Sequence, residues 1–499
     1  MAEPLLVGLD VGTTSCKAGA FDARGNLIAL ASAPYGVNRL GAGRVEQDAG
    51  WYWDGAVRCL RQLLATPGVD PGRLAGMSAC GQAPTMILLD AAGEPLRAAI
   101  LWQDTRAAAE AAALAQDPGG ETLAGWLGIS WPVDASMPMA RLLWLRRNEP
   151  QTLQRTRLVL SPKDLVQLRL TGSVATDLWS ARGMVHQGTR QPIGALRELT
   201  GLDLGAVPPA LASDAVMGRV SAAGAAATGL PEGLPVAAGW TDAMAAMLGS
   251  GGLDRAGLAA DVSGTSEVVG LTLGERPAAV GPLLTAPVVN SGRWQLYGPT
   301  QSSGGSLGWA MRAFASPAME TAAALAEAAT APPGSGGVVF LPYLDGERAP
   351  LWDPRARGAF AGLDSAQGRA HLLRAVLEGV ACSVRHLLHT AEALAGTEAV
   401  ELRVAGGGSR LALWNQIKAD VTGRRVRPCV TSENGVLGGA MLAAVGAGVY
   451  ADVTAAGEAM VQLLEPVLPD AETAETYDRL YERYVALYPR LKDLPAAGA

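Results

Sequence analysis

The stretch VGLDVGTTSCKAGAFD, residues 7–22, decides the reading of this chain. An apolar run carries Asp10 near its end, Gly12, Thr13, Thr14 and Ser15 follow, and a second apolar run leads away. That pattern is a β-hairpin whose turn presents backbone N–H groups and hydroxyls to one point, the chemistry that an anionic phosphate needs. An aspartate at the strand end repels phosphate, but it can hold a divalent cation that the phosphates share. The pattern recurs half a chain later. LAADVSGTSEVVGLTL, residues 258–273, repeats the apolar run, the aspartate, the Gly-Thr-Ser and the return strand. Two such turns, one from each half, are expected to hold a polyphosphate from two sides.

The surrounding chain supports an α/β architecture. At 499 residues it exceeds one core, so two domains or more are expected. Strand-like runs alternate with helical ones from end to end. The first ~30 residues read as three strands, with a hairpin turn by chemistry at Asp22, Ala23, Arg24, Gly25 and Asn26. LAGMSACG (74–81) predicts a buried strand and MILLDAAGEPL (86–96) a hairpin arm. PMARLLWLRRNEP (138–150) has helical spacing and stops before Pro150. Composition shifts to Ala, Gly and Pro between about 205 and 240, which places the boundary near its end: domains 1–239 and 240–499. Near the C-terminus, Tyr477, Leu480, Tyr481, Tyr484, Tyr488 and Leu491 share one helical face, expected as core packing.

Composition excludes several classes. Hydrophobic residues make up 49% and charged residues 17%, an ordinary globular balance. A net charge of −7 without a basic run argues against a nucleic-acid partner. No apolar stretch reaches about 18 residues uninterrupted, so no membrane span is expected. The opening MAEPLLVGLD lacks a basic region, so no signal peptide is expected. Five scattered cysteines read as reduced and cytoplasmic. The four histidines offer no metal cluster, and His386 and His389 are expected on a solvated helix surface.

The common nucleotide motifs are missing. A Walker loop needs Gly-Lys, and none of Lys17, Lys163, Lys418 or Lys492 follows a glycine. GGSLG, residues 304–308, does fit the GxSxG nucleophile elbow. A hydrolase would then need a downstream aspartate and histidine, yet His371, His386 and His389 all lie in helical sequence.

At this point the residues resemble the FGGY carbohydrate kinases of the actin-like ATPase superfamily, over nearly the whole chain. GLDVGTTSCKA is similar to the family's first phosphate hairpin, RVEQDAGWYW to its Glu-Gln-Asp segment, and ILWQDTRA to its Trp-x-Asp-x-Arg segment. SPKDLVQLRLTGSVATD and LPYLDGERAPLWDPRARGAFAGL resemble stretches typical of xylulokinases. One signature is matched throughout by Gly358, Phe360, Gly362, Leu363, His371 and Glu378; the other departs once, with Arg141 where the family has lysine.

The resemblance implies two ribonuclease-H-like domains with the active site in a cleft between them, and ATP and Mg²⁺ as cofactors. Asp10 would hold Mg²⁺. Thr13, Thr14, Ser15 and Lys17 would meet the phosphates from the first domain, and Gly264 and Thr265 from the second. Gly304 and the run Gly406, Gly407, Gly408 would border the adenosine, which makes GGSLG an adenosine-side turn. Asp242, in GWTDAMAAM, would be the base that accepts a proton from the sugar hydroxyl. It also reads as a helix N-cap, and both can hold. A homodimer is compatible with the family.

The acceptor loop departs from the pattern. Xylulokinases carry Gly-Gln-Met-His-Gly there, and this chain reads CGQAPTM, with Ala83 and Pro84 in place of Met and His. Pro84 offers neither a polar side chain nor an N–H. Gln82, Thr85, Asp104 and Thr241 remain as polar candidates, with Trp102 and Trp240 as apolar walls. A pentulose such as D-xylulose is the expected substrate; another ketose or polyol, or gluconate, is the alternative. A non-catalytic actin-like ATP binder and a serine hydrolase are the readings from other classes.

Overall fold

The opening hairpin seeds a six-stranded sheet. In the computed structural model, which describes residues 3–314 and 319–493, β1 (Leu5–Val11), β2 (Ser15–Asp22) and β3 (Leu27–Pro34) form an antiparallel series. On the other side of β1 lies β4 (Leu74–Gly81), parallel to it. An edge strand β5 (Val216–Arg219) and β6 (Pro235–Thr241), parallel to β4, complete the order β5-β6-β4-β1-β2-β3. The continuous apolar run in β1 now has a cause. Leu5, Leu6, Val7, Leu9 and Val11 are all fully buried, because helices cover both faces of the sheet. Helix Gly50–Leu64 buries Tyr52, Cys59, Leu60 and Leu63 in this core. Helix Asn434–Gly446 rides on Gly8, where a Cβ would sit 1.8 Å from the Val436 carbonyl oxygen, so only glycine lets the two backbones approach.

The second sheet repeats the plan. β7 (Leu258–Ser263) and β8 (Glu267–Leu273) form the hairpin. β9 (Leu284–Pro287) and β10 (Trp294–Pro299) extend it antiparallel, while β11 (Glu401–Gly406) and β12 (Val426–Pro428) run parallel on the far side of β7. The order is β9-β10-β8-β7-β11-β12. A hairpin with a third antiparallel strand beyond it and parallel strands behind its first strand is thus common to both halves, as the sequence repeat predicts. Helix Arg369–Ala395 packs across this unit through Leu373, Val376, Leu377, Val380, Val384, Leu387 and Leu388.

The contacts divide the chain into Met1–Gly249 with Val289–Ser291 and Asn434–Val461, and Ser250–Val288 with Gly292–Glu433 and Gln462–Ala499. The expected boundary at 239/240 falls inside β6, which continues without a linker into helix Asp242–Gly249. That helix packs on Asn434–Gly446 through glycines: a Cβ on Gly438 would lie 1.9 Å from the Ala245 carbonyl oxygen. Both helices therefore belong to the first unit.

The C-terminal helix Ala474–Leu491 buries Tyr477, Leu480 and Tyr484 and half-buries Tyr481, Tyr488 and Leu491. Tyr343 and Tyr484 share a hydroxyl–hydroxyl hydrogen bond of 2.7 Å. His386 and His389 differ from the solvated surface expected of them. Both are half-buried, with ring centroids 6.5 and 5.3 Å from that of Tyr481, and burial holds both imidazoles below their usual pKa. Among the described residues no helix is long and apolar enough to cross a membrane.

Candidate active site

Strand register assembles the first half of the site. Asp10 on β1 stands opposite Cys80 on β4, and Cys80 opposite Trp240 on β6, with Thr241 opposite Gly81. Asp242 is the next residue and opens its helix. Three neighbouring parallel strands thus end together, the place where open α/β sheets bind ligands. Helix Asn434–Gly446 starts at the same point: a Cβ on Gly435 would lie 3.7 Å from Asp10 Oδ2 and 3.9 Å from the Asp242 carbonyl oxygen. Cys80 donates to the Gly435 carbonyl at 3.4 Å. Burial, and then the negative charges of Asp10 and Asp242, push its thiol pKa well up, so it stays an uncharged filler. Asp10 and Asp242 are themselves partly exposed. Ala243 N–H donates to Asp242 Oδ1 at 2.7 Å, which leaves the carboxylate at the helix start.

The hairpin turn is clipped from behind. Gly12 N–H donates to the Ser15 carbonyl at 3.1 Å, Tyr35 Oη–H to the Gly12 carbonyl at 2.6 Å, and Gln47 Nε2–H to the Thr13 carbonyl at 2.7 Å. Thr14 is exposed at the tip, Ser15 is partly exposed, and Lys17 stands across from Asp10 in the hairpin. Thr13 differs from its expected part. Its hydroxyl donates to Gln82 Oε1 at 3.3 Å and accepts from Trp102 Nε1 at 3.1 Å, so it ties the turn to the loop that follows β4.

Several residues expected to touch the acceptor are occupied internally. Gln82 is fully buried and donates to Gln47 Oε1 at 2.9 Å and the Gly12 carbonyl at 3.3 Å, while Thr85 donates to its Oε1 at 3.2 Å. Thr85 also accepts from Trp102 N–H at 3.3 Å. Asp104, 1% exposed, accepts from Val45 N–H at 2.6 Å and holds Arg106 at 2.7 and 2.8 Å. Burial works to raise its pKa, but Arg106 and the backbone donors more than offset that and leave the carboxyl below its usual value. Trp240 is 2% exposed and Thr241 3%, so neither forms an open wall. Ala83, Pro84 and Trp102 remain partly exposed. The clips Tyr35, Gln47 and Tyr52 carried no expected role, although Gln47 and Tyr52 lie in the quoted segment RVEQDAGWYW.

In the second unit the glycines converge. Gly304 N–H donates to the Gly264 carbonyl at 3.0 Å, and Ser303 and Gly305 N–H to the Thr265 carbonyl at 2.9 and 3.0 Å, which docks the turn on the start of helix Gly304–Phe314. Ser263 pairs with Gly406, where φ is +79° and a Cβ would lie 2.2 Å from the Ser263 carbonyl oxygen. Gly407 has open space around it. Gly264, Thr265, Gly304, Gly406, Gly407 and Gly408 therefore share one end of β7 and β11, a cradle that side chains would fill.

Asp261 does not repeat Asp10. It is fully buried, bonded to Ser263 Oγ at 3.0 Å and to Lys418, whose ammonium also reaches Glu267 at 2.7 Å. Burial and the Asp261 charge push Glu267 up to about 8. The elbow reading of GGSLG also fails, because Ser306 is fully buried and its hydroxyl pairs with Ser302 Oγ at 2.7 Å.

The donor chemistry fits the expected groups. A partly exposed carboxylate at a strand end offers the hard oxygen that Mg²⁺ requires, and the glycine cradle leaves room for a nucleotide.

Two family models match. The N-terminal domain of the FGGY family of carbohydrate kinases covers residues 5–249, and its C-terminal domain covers 259–447. A xylulose kinase of Bacillus subtilis is 28% identical, spanning 99% of this chain and 98% of the relative. A glycerol kinase of Citrifermentans bemidjiense is 30% identical over 97% of this chain and 98% of the relative. The crystal structure of xylulose kinase from Rhodospirillum rubrum superposes with a TM-score of 0.86 at 31% identity, covering 98% of this chain and 99% of that one. With both domain models matched along a duplicated sheet plan, the chain belongs to the FGGY family of carbohydrate kinases.

Proposed function

We propose that this ATP-dependent sugar kinase phosphorylates a pentulose such as D-xylulose, giving the 5-phosphate, with Asp242 as general base. The observation that carries the reading is the meeting of Asp10 and Asp242, two partly exposed carboxylates, at one end of β1, β4 and β6. The sugar and phosphate groups are assigned to the first unit, and adenosine with further phosphate contacts to the second.

The sugar hydroxyl binds with its proton toward Asp242. As that oxygen forms its bond to the γ-phosphorus, the bond from phosphorus to the departing ADP oxygen breaks and Asp242 takes the proton. Asp242 needs no covalent intermediate; positioning and charge neutralisation carry most of phosphoryl transfer. The N–H groups and hydroxyls of Thr14 and Ser15, with Lys17, face the phosphates from the first hairpin. Gly264 and Thr265 would offer further phosphate contacts, and Gly304 and Gly406, Gly407 and Gly408 would border the adenosine. Asp10 would hold Mg²⁺, which would supply charge neutralisation to the phosphates. Ala83, Pro84 and Trp102 line the acceptor.

Xylulose kinases among the relatives support the pentulose, and the lost Met and His in the loop leave another ketose or a polyol as the second reading. A coupled ADP-release screen over pentuloses, hexuloses, polyols and gluconate ranks the acceptors. In Asp242→Asn the cap remains and the base is gone, so sugar binding survives while kcat falls by roughly 10²–10⁴. Near-normal turnover in that variant rules out Asp242 as the base.

A further inference from the structure

Among the departures from the family pattern are Pro84 in the acceptor loop and Arg141 in place of lysine, and the fold brings these two into contact. They lie 57 residues apart in sequence, yet Arg141 Nη1–H donates to the Pro84 carbonyl at 2.8 Å. The same guanidinium donates to the Ile100 carbonyl at 3.3 Å and, through Nη2, to the Leu101 carbonyl. Arg141 is 1% exposed, on helix Pro138–Asn148. All three partners are neutral carbonyls, and Nε has no hydrogen-bond partner among the described residues.

We propose that Arg141 and Pro84 act as a coupled pair that sets which sugar the kinase accepts; this rests on the kinase reading of the first unit. Arg141 is a positioning residue. Its planar fork fixes two backbone segments at once, the loop carrying Ala83 and Pro84 and the segment leading into Trp102. Those three are partly exposed, whereas Gln82, Thr85, Asp104, Trp240 and Thr241 are buried. A lysine ammonium is a single point on a flexible stem and cannot hold two segments in the geometry of a fork, so the exchange is not conservative here. Burial lowers the Arg141 pKa to about 10, so the group stays charged at neutral pH and its donors stay in place. The Pro84 carbonyl is the acceptor that the fork grips, and any residue at 84 supplies that same backbone carbonyl. Restoring histidine at 84 alone therefore leaves the loop in the arginine-held position.

The test is a four-member cycle of the full-length chain: parent, Pro84→His, Arg141→Lys, and Pro84→His with Arg141→Lys. For each, kcat/KM is measured for D-xylulose and for the parent's best acceptor from the screen, together with KM for ATP. Contacting residues couple, so the ratio of the two kcat/KM values in the double variant should depart from the product of the single effects by roughly 3- to 30-fold. KM for ATP should stay within about twofold, which a general loss of structure would not allow. Additive ratios within about twofold overturn the pair. If Arg141→Lys does not fold, Arg141→Gln, whose amide still donates to one segment, runs the same cycle. Failure of both to fold, with Pro84→His folded and its sugar ranking unchanged, makes Arg141 a fold element only and refutes the proposal. A parent that releases no ADP with any sugar refutes the acceptor assignment itself and the pair with it, whereas additivity in an active parent refutes the pair alone.

Discussion

Gln82→Leu isolates the clip between the phosphate turn and the acceptor loop. Gln82 is fully buried, and its amide joins Gly12, Thr13, Gln47, Tyr52 and Thr85. Leucine has nearly the same size but neither donates nor accepts. Three of the five partners are covered elsewhere: the Gly12 carbonyl keeps Tyr35, and the Tyr52 hydroxyl and Gln47 Oε1 keep each other at 2.8 Å. The hydroxyl protons of Thr13 and Thr85 lose their acceptor. An unsatisfied buried polar group costs about 1–3 kcal/mol, and Thr13 is half-exposed, so the sum is about 2–4 kcal/mol. Urea denaturation followed by tryptophan fluorescence reads the loss, with two transitions fitted separately where they resolve. Because Thr13 and Thr85 both hold Trp102, KM for the sugar should also rise by about tenfold, the equivalent of one lost 1.4 kcal/mol contact. A stability loss below about 1 kcal/mol together with an unchanged sugar KM would show that Gln82 clips nothing. A full loss with unchanged KM would confine it to stability.

Two further outcomes are expected. Asp10→Ala should weaken productive use of Mg²⁺ and ATP and lower turnover while the first unit stays folded, since a partly exposed strand-end carboxylate is not core; intact activity with an unchanged Mg²⁺ dependence refutes the assignment. Glu267 has a folded pKa of about 8, above the roughly 4.3 of an unfolded glutamate, so the folded state keeps its proton longer. Its contribution is fully present below about pH 4 and is lost as pH rises to about 8, at no more than about 1.4 kcal/mol per pH unit. Glu267→Gln cannot ionise and should flatten that decline in thermal denaturation at pH 5, 7 and 9; a parallel decline in the variant would refute the reasoning.

The fold was legible where burial writes itself into the pattern. β1 is covered on both faces, so its apolar run is continuous up to Asp10, and the tyrosine spacing of helix Ala474–Leu491 marks the face that packs. The return of helix Asn434–Gly446 to the first unit was not legible. Its contacts run through Gly8, Gly249 and Gly438, where the signal is a missing side chain, and local sequence does not say which backbone fills that space. Residue type misled at Gln82 and Asp104. A polar side chain near a site can face a ligand or hold the loop that does, and only the partners decide; here Arg106, Val45, Gln47 and Thr85 decide for the loop.

The two hairpins show how little sequence separates those outcomes. The first reads Asp-Val-Gly-Thr, the second Asp-Val-Ser-Gly-Thr, one residue longer between the aspartate and the turn. Asp10 pairs with Lys17, one step before the last pair of its hairpin, whereas Asp261 pairs with Val269, two steps before the last. Side chains alternate faces along a strand, so one added residue turns the aspartate to the opposite side. Asp10 emerges partly exposed, and Asp261 is sealed against Lys418 and Glu267. Taking Asp261 out of water without Lys418 would leave a buried charge unpaired, at a cost of about 3–5 kcal/mol, so the pair is bound to the core of its unit. Of the two hairpins, only the first can offer a carboxylate to a cation. The second is left with backbone N–H groups and the exposed hydroxyl of Thr265, a surface suited to phosphate oxygen directly.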